Sequence, residues 1–304
     1  MSGSADVAVR QAREADVEPI ASFTQDTWDE FERGDYIPDV FPEWVRTDGP
    51  DQRTVVGEVD GAVVGCCQVV LLSEYEAWAQ GIRVRPDHRG TGVGRALDDA
   101  CAAWARDRGA TVLRNMVFSW NEQGLAAART FGYEPRAAFR WASLDPDAQA
   151  RADGDAVVAS DPDAAWSYWE RSDARDALAG LALDPSESWA LSAWTRDRTR
   201  VAAEETAVFA VQREGDGTTA VSWRTRVADT DEGRRTEYGA AGWETLDDAR
   251  SLFAGIRRDA ASVDADRARV LIPETPRFVA DAAATGADLS DHPDIVFEAD
   301  LIRR

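Results

Sequence analysis

Arg89-Gly90-Thr91-Gly92-Val93-Gly94 stands between an apolar run that Pro86 ends and a segment with apolar residues at Val93, Leu97, Cys101 and Trp104. The run Glu76 to Val84 reads as a strand. The segment Val93 to Arg108 has a helical period, and Gly109 is placed to close it. A glycine-rich turn that opens a helix exposes unpaired backbone N–H groups at the positive end of the helix dipole. Gly90, Gly92 and Gly94 let the chain approach an anion closely, and Arg89 and Arg95 add charge, so the turn reads as a pyrophosphate cradle. A dinucleotide fingerprint counted from Gly90 needs its third glycine where the chain has Arg95, and it follows a first strand rather than a late one. A dehydrogenase is disfavoured.

Working outward, Val7 to Arg10 is a short strand and Glu14 to Phe23 a helix, with more helix over Asp26 to Arg33. Pro38, Pro42 and Pro50 make Tyr36 to Asp51 broken helix and loop. Arg53 to Val59 and Ala62 to Leu72 are strands joined at Asp60-Gly61, a hairpin signal. After the glycine turn and its helix come a strand at Thr111 to Phe118, a helix at Asn121 to Phe131 and a strand at Arg136 to Leu144. Asp145 to Asp155 has the composition of a linker.

The order then repeats. Strand Ala156 to Ala159, helices at Ala164 to Arg171 and Trp189 to Asp197, and strands at Ala207 to Arg213, Thr218 to Val227 and Thr236 to Ala241 lead to a helix from Leu246 to Ala260. Strand Ala268 to Ile272, helix Pro276 to Ala284 and strand Ile295 to Leu301 complete it. The openings Asp6-Val7-Ala8-Val9 before Asp16 and Asp155-Ala156-Val157-Val158 before Asp163 also look alike. Two domains are expected, 1–146 and 147–304. The second has only Gly242-Trp243-Glu244-Thr245 where the glycine turn would fall, so one coenzyme site per chain is expected.

Composition narrows the chemistry. The 304 residues carry a formal charge of -22, which disfavours nucleic acid and anionic membranes as partners. No apolar run is long enough to span a membrane and no leader precedes the first strand, so a cytoplasmic protein, monomer or homodimer, is expected. All 34 basic residues are Arg. Without Lys there is no Schiff base and no standard P-loop. With only His88 and His292, metal clusters and His-based triads have little to draw on, and no metal is expected. Cys66, Cys67 and Cys101 read as buried thiols. The Arg-only, Asp- and Ala-rich composition resembles that of proteins from salt-loving archaea. At molar salt the Debye length falls to about 3 Å and dense carboxylates stop repelling one another.

The turn and its neighbours resemble the GNAT superfamily of N-acetyltransferases. The family's loop pattern of Gln or Arg, two residues, Gly, one residue, then Gly or Ala is met by Arg89, Gly92 and Gly94. Gly81-Ile82-Arg83-Val84-Arg85-Pro86 is similar to its fourth strand, and Asn121 with Phe131-Gly132-Tyr133 to its Asn, helix, Gly-aromatic segment. The resemblance implies a mixed α+β fold of the α/β class, with a central, mostly antiparallel sheet flanked by helices, here duplicated. It implies acetyl-CoA as co-substrate, held by Ile82, Arg83, Val84, Arg89, Gly90, Thr91, Gly92, Val93, Gly94, Arg95 and Asn121. The reaction implied is attack of a neutral small-molecule amine, of amino-acid or polyamine type, on the thioester.

Glu76 is the expected general base, with Glu74 behind it. The tyrosine that often returns a proton to the departing thiolate is replaced by Ala128. Water, Tyr133 or Tyr75 is left for that task, or the domain is a non-catalytic acyl-CoA sensor. Trp28, Phe31, Tyr36, Phe41 and Trp44, interleaved with Asp26, Asp29, Glu30, Asp35, Asp39 and Glu43, read either as an acceptor wall suited to a cationic amine or as an amphipathic core face. Trp78 and Trp120 border the same region or belong to the core.

Overall fold

The computed structural model describes residues 7–25, 27, 34–152, 154–230 and 233–304. Its first half runs β1 (Ala8–Gln11), α1 (Val17–Thr24), α2 (Ile37–Thr47), β2 (Gln52–Val59), β3 (Ala62–Leu71), β4 (Glu76–Val84), α3 (Val93–Arg106), β5 (Val112–Phe118), α4 (Glu122–Phe131) and β6 (Glu134–Leu144). The second half runs β7 (Val157–Ala159), α5 (Pro162–Trp169), α6 (Asp173–Ala177), β8 (Leu181–Leu183), β9 (Leu191–Ala193), α7 (Arg196–Glu205), β10 (Ala207–Arg213), β11 (Gly217–Thr230), β12 (Gly233–Trp243), α8 (Leu246–Ser262), β13 (Arg267–Pro273), α9 (Pro276–Ala284), β14 (Asp288–Leu289) and β15 (Asp294–Asp300).

The described chain divides into two compact units that are not the consecutive stretches 1–146 and 147–304. One comprises Met1–Asn115, Ala126–Glu134 and Phe297–Arg304, the other Met116–Leu125 and Pro135–Val296. The reason lies in two strands. β6 pairs antiparallel with β13 from Phe139↔Pro273 to Leu144↔Ala268, which ties it to the second half. The end of β15 goes to the first half, where the Leu301 N–H donates to the Thr111 carbonyl at 2.9 Å.

In the first unit β1, β2, β3 and β4 are antiparallel neighbours and β4 pairs parallel with β5. The β2–β3 turn has positive φ at both Asp60 (51°) and Gly61 (77°), the type I′ geometry that matches strand twist. Strand alternation sends Cys66 to the face covered by α1 and α2, into a core with Ile20, Ile37, Phe41 and Val56. Gly57 and Gly65 face Val93 and Leu97 of α3 on the other side.

Tyr36 to Asp51 is helix and then loop, with the helix of Ile37–Thr47 longer and less broken than its prolines suggest. Pro38 sits in the first turn of α2, where no intrahelical N–H is needed. Pro42, inside the helix, loses one hydrogen bond and crowds the preceding turn, at about 3 kcal/mol. Burial of Ile37 and Phe41, about 1.5–3 kcal/mol each, offsets that loss. Phe41 is thus core, and of the expected acceptor wall Asp26, Trp28, Asp29, Glu30 and Phe31 lie outside the described residues.

The second unit repeats the pattern. β10, β11 and β12 are antiparallel and β12 pairs parallel with β13. Trp189 to Asp197 is not a helix: it holds β9, and α7 starts only at Arg196 after its cap Thr195. Among the described residues, no helix is long and apolar enough to cross a membrane.

Candidate functional site

β4 is interrupted where it matters. Its pairing with β3 steps from Gln68↔Gln80 to Cys66↔Arg83, so Gly81 and Ile82 bulge opposite Cys67. Gly81 takes φ +64°, and a Cβ there would lie 2.5 Å from Trp44 Cη2. On its other edge β4 pairs with β5 only from Glu76↔Val112 to Trp78↔Arg114. Beyond that point the pairing with β5 ends, and β5 passes from buried Leu113 and Arg114 to part-exposed Asn115. An unpaired strand edge offers N–H and C=O groups to an extended ligand.

The free edge leads into the glycine turn. A short 3-10 turn at Pro86–His88 precedes Gly90 (φ +74°) and Gly92 (φ +100°), and neither glycine has a heavy atom within 4 Å of where a Cβ would stand. Gly92 is the N-cap of α3, and no side chain caps that helix. Its first-turn amides are therefore presented outward, as a pyrophosphate requires. Thr91 Oγ1 donates to the His88 carbonyl at 2.7 Å and Arg89 Nε to the Val84 carbonyl at 3.2 Å, which shapes the turn. Gly94 packs beside Phe131, Val84 and Ile82. These residues fit an acyl-CoA pyrophosphate.

Two arginines of the expected set are spent elsewhere. Arg95 binds Asp99 at 3.1 Å and the Thr130 carbonyl at 3.0 Å. Arg83 grips Asp35 with Nε at 2.6 Å and Nη2 at 3.0 Å, beneath the Tyr36 ring. The Asp35 side chain is fully buried. Arg83 thus joins β4 to the segment before α2.

Glu76 stands at the closed end of the β4–β5 fork, not at the free edge. It is paired with Arg114, accepts from Ser73 Oγ at 3.3 Å, and shares Arg114 with Glu298, which is 2.7 Å from the same guanidinium. Glu298 comes from β15, 184 residues from Arg114, and nothing local in the sequence marks it. Asn121 falls in the second unit. Its Oδ1 accepts from the Gly124 N–H at 2.9 Å, at the start of α4.

Neither expected tyrosine replaces the one missing at Ala128. Tyr133 is fully buried, its hydroxyl donates to Asp98 at 2.7 Å, and burial pushes its pKa well up. Tyr75 is 62% exposed in the β3–β4 turn, beside the closed end. Burial pushes the Cys66 thiol up, and a hydrogen bond with Cys101 together with burial pushes Cys67 up, keeping both protonated and unreactive. Tyr36 and Trp44 stand edge to face by the bulge, rings 6.5 Å apart, whereas Trp78 is core and Trp120, in the second unit, stacks on Phe118.

The second unit has the fork without the cradle. β12 and β13 separate after Tyr238↔Val270. At the end of β12, Arg277 Nη1 donates to the Trp243 and Glu244 carbonyls, both at 2.9 Å, and Trp243 packs on Phe278 and Phe253. The start of α8 is closed by a reciprocal Thr245–Asp248 capping box, with Asp247 also in its first turn. Capped amides and two carboxylates repel an anion where α3 invites one.

The profile of the Acetyltransferase (GNAT) family matches residues 20–133. Streptothricin acetyltransferase of Streptomyces lavendulae is 36% identical over 108 residues, 31% of this chain and 55% of that enzyme. The chain thus spans about half the length of that relative. Thialysine N-epsilon-acetyltransferase of Sus scrofa is 26% identical over 144 residues, 42% of this chain and 84% of that protein. In fold, a GCN5-related N-acetyltransferase from Sphaerobacter thermophilus superposes with TM-score 0.62 at 14% identity, covering 97% of this chain and 96% of that one. A tandem GNAT protein from the clavulanic acid biosynthesis pathway gives 0.54 at 14% identity, with 97% and 99% covered.

Proposed function

We propose that this chain, whose residues 20–133 match the Acetyltransferase (GNAT) family, transfers an acetyl group from acetyl-CoA to a primary amine of a small molecule. One observation carries the reading: β4, past its last pair with β5, leads into a helix start with two positive-φ glycines and no cap. The backbone of residues 89–95, rather than the Arg95 side chain, would hold the pyrophosphate. The backbone of Ile82, Arg83 and Val84 would line the arm and polarise the thioester carbonyl, and Asn121 would fix the start of α4.

A neutral amine attacks that carbonyl and the thiolate leaves. The ammonium proton passes through water to a carboxylate, for which Glu76 of the Glu76–Arg114–Glu298 group at the closed end of the fork is the candidate, and water returns a proton to the thiolate in place of a tyrosine. The relatives are named for streptothricin, thialysine and an aminoglycoside, each a polyfunctional amine, which supports a cationic small-molecule acceptor. The dense carboxylates support a requirement for molar KCl.

Thiol release from acetyl-CoA across a panel of amines in molar KCl tests this. Amine-stimulated release is expected, with one coenzyme bound per chain by calorimetry. Tight binding without release for any amine would make the domain an acyl-CoA sensor, and two coenzymes per chain would overturn the single-site reading. Gly92→Asp places a side chain and a like charge in the cradle and should abolish binding.

A further inference from the structure

Asn115 is the first residue of β5 past its last pair with β4. Its Oδ1 is buried and has no hydrogen-bond partner. A buried acceptor left this way costs about 1–3 kcal/mol, a cost a fold tolerates where a ligand supplies the donor.

Strand alternation fixes the side on which Asn115 stands. Arg114 reaches Glu76, on the face that α1 and α2 cover, so Leu113 and Asn115 turn to the α3 face. Past the bulge Ile82 turns to that face as well, since its Cδ1 lies 4.0 Å from where a Gly94 Cβ would stand, and Ile82 is 38% exposed. Past its last pair with β5, β4 is thus flanked, on the side where α3 presents its amides, by a part-exposed isoleucine and an unbonded carboxamide oxygen. A ligand arm that alternates methylenes with amide N–H groups meets both, the methylenes on Ile82 and an N–H on Asn115. The charged groups an ammonium would seek, Glu76 and Glu298, sit with Arg114 on the opposite face.

We propose that Asn115 Oδ1 accepts a hydrogen bond from an amide N–H of the pantetheine arm of acyl-CoA, and is a coenzyme-binding residue. This rests on the acetyl-CoA reading above.

Calorimetric titration of coenzyme A, and of 3′,5′-adenosine diphosphate as a probe without the arm, into wild type, Asn115→Leu and Asn115→Asp separates the two claims. Asn115→Leu should bind coenzyme A roughly 5–10-fold more weakly, the loss of one hydrogen bond of about 1–1.4 kcal/mol. It should bind the diphosphate as wild type does and melt no lower. Asn115→Asp keeps an acceptor in place and should stay within about threefold of wild type. Equal coenzyme affinity in Asn115→Leu, or loss in Asn115→Asp alone, overturns the assignment; equal loss of the diphosphate overturns it too. If Asn115→Leu does not fold, Asn115→Ala makes the same comparison. A wild type that binds no coenzyme A would sink the acetyl-CoA reading itself.

Discussion

Trp44 of α2 lies against β4 at Gly81, so closely that a methyl group on Gly81 would meet its Cη2 at 2.5 Å. The contact seats the helix on the bulge that ends regular pairing. Gly81→Ala adds a strained left-handed backbone, about 1–2 kcal/mol, to an overpacked contact, about 1–3 kcal/mol. Urea unfolding should show a loss of about 2–5 kcal/mol, with a raised KM for acetyl-CoA because the bulge shifts. In Trp44→Ala/Gly81→Ala the clash with Trp44 is gone and only the 2.9 Å approach to Ile37 Cδ1 remains, so the two losses should fall short of additive; full additivity would mean the Trp44 contact is not the constraint.

Arg83→Ala separates two roles for that arginine. Its removal leaves the Asp35 carboxylate buried without its countercharge, a loss of about 3–5 kcal/mol. Asp35→Asn in the same chain should recover much of that stability. Had Arg83 served the coenzyme phosphates, stability would hold and coenzyme affinity alone would drop.

Asp98, inside α3, takes the hydroxyl of Tyr133 and pairs with Arg304, which also reaches Asp99 at 3.1 Å. Burial raises the Asp98 pKa and Arg304 opposes that rise. In Arg304→Ala the opposition is gone and the folded chain holds the Asp98 proton to still higher pH. Between the unfolded and folded values the native state then binds more protons, so stability falls as pH rises. The penalty of Arg304→Ala should be small at pH 5 and largest at pH 8, read as the difference in urea midpoints. A pH-independent penalty would contradict the ion-pair role.

Asp294 opens β15 in the second unit, and burial pushes its pKa up to about 7 against the opposing charges of Arg269 and Arg140. The same sign holds: the fold keeps this proton from about pH 4 to 7 while the unfolded chain has lost it, so stability falls as pH climbs across that window and levels off above 7. Asn at this position has no charge to desolvate. Asp294→Asn should therefore melt higher than wild type at pH 8 and near wild type at pH 5. An equal shift at both would assign the effect to packing.

Much of the first unit was legible because its signals are local. The Asp60-Gly61 turn, the alternation along β3 and the glycines before α3 each specify a geometry through φ or periodicity alone. Two errors trace to tertiary overrides. Pro42 is carried in a helix by the burial of Ile37 and Phe41, and Trp189 to Asp197 became a strand and a helix start because Leu191 and Ser192 are buried in the β8–β9 pair. Neither weight can be read from a window of residues.

The sequence by itself determined the uncapped glycine turn that opens α3, since positive φ at Gly90 and Gly92 and the absence of a capping side chain are properties of those residues. It also determined the closed start of α8, where Thr245 and Asp248 satisfy each other within four residues. Only the tertiary structure decided what the charged residues do. Arg83 went to Asp35, and Glu76 to Arg114 beside Glu298, because ion pairs form between strands and segments whose separation along the chain carries no local signal. The same holds for the boundary between units, set by pairing of β6 with β13 and by the return of residues 297–304 to the first unit, and for Asn115, whose unbonded oxygen matters only where β4 leaves β5.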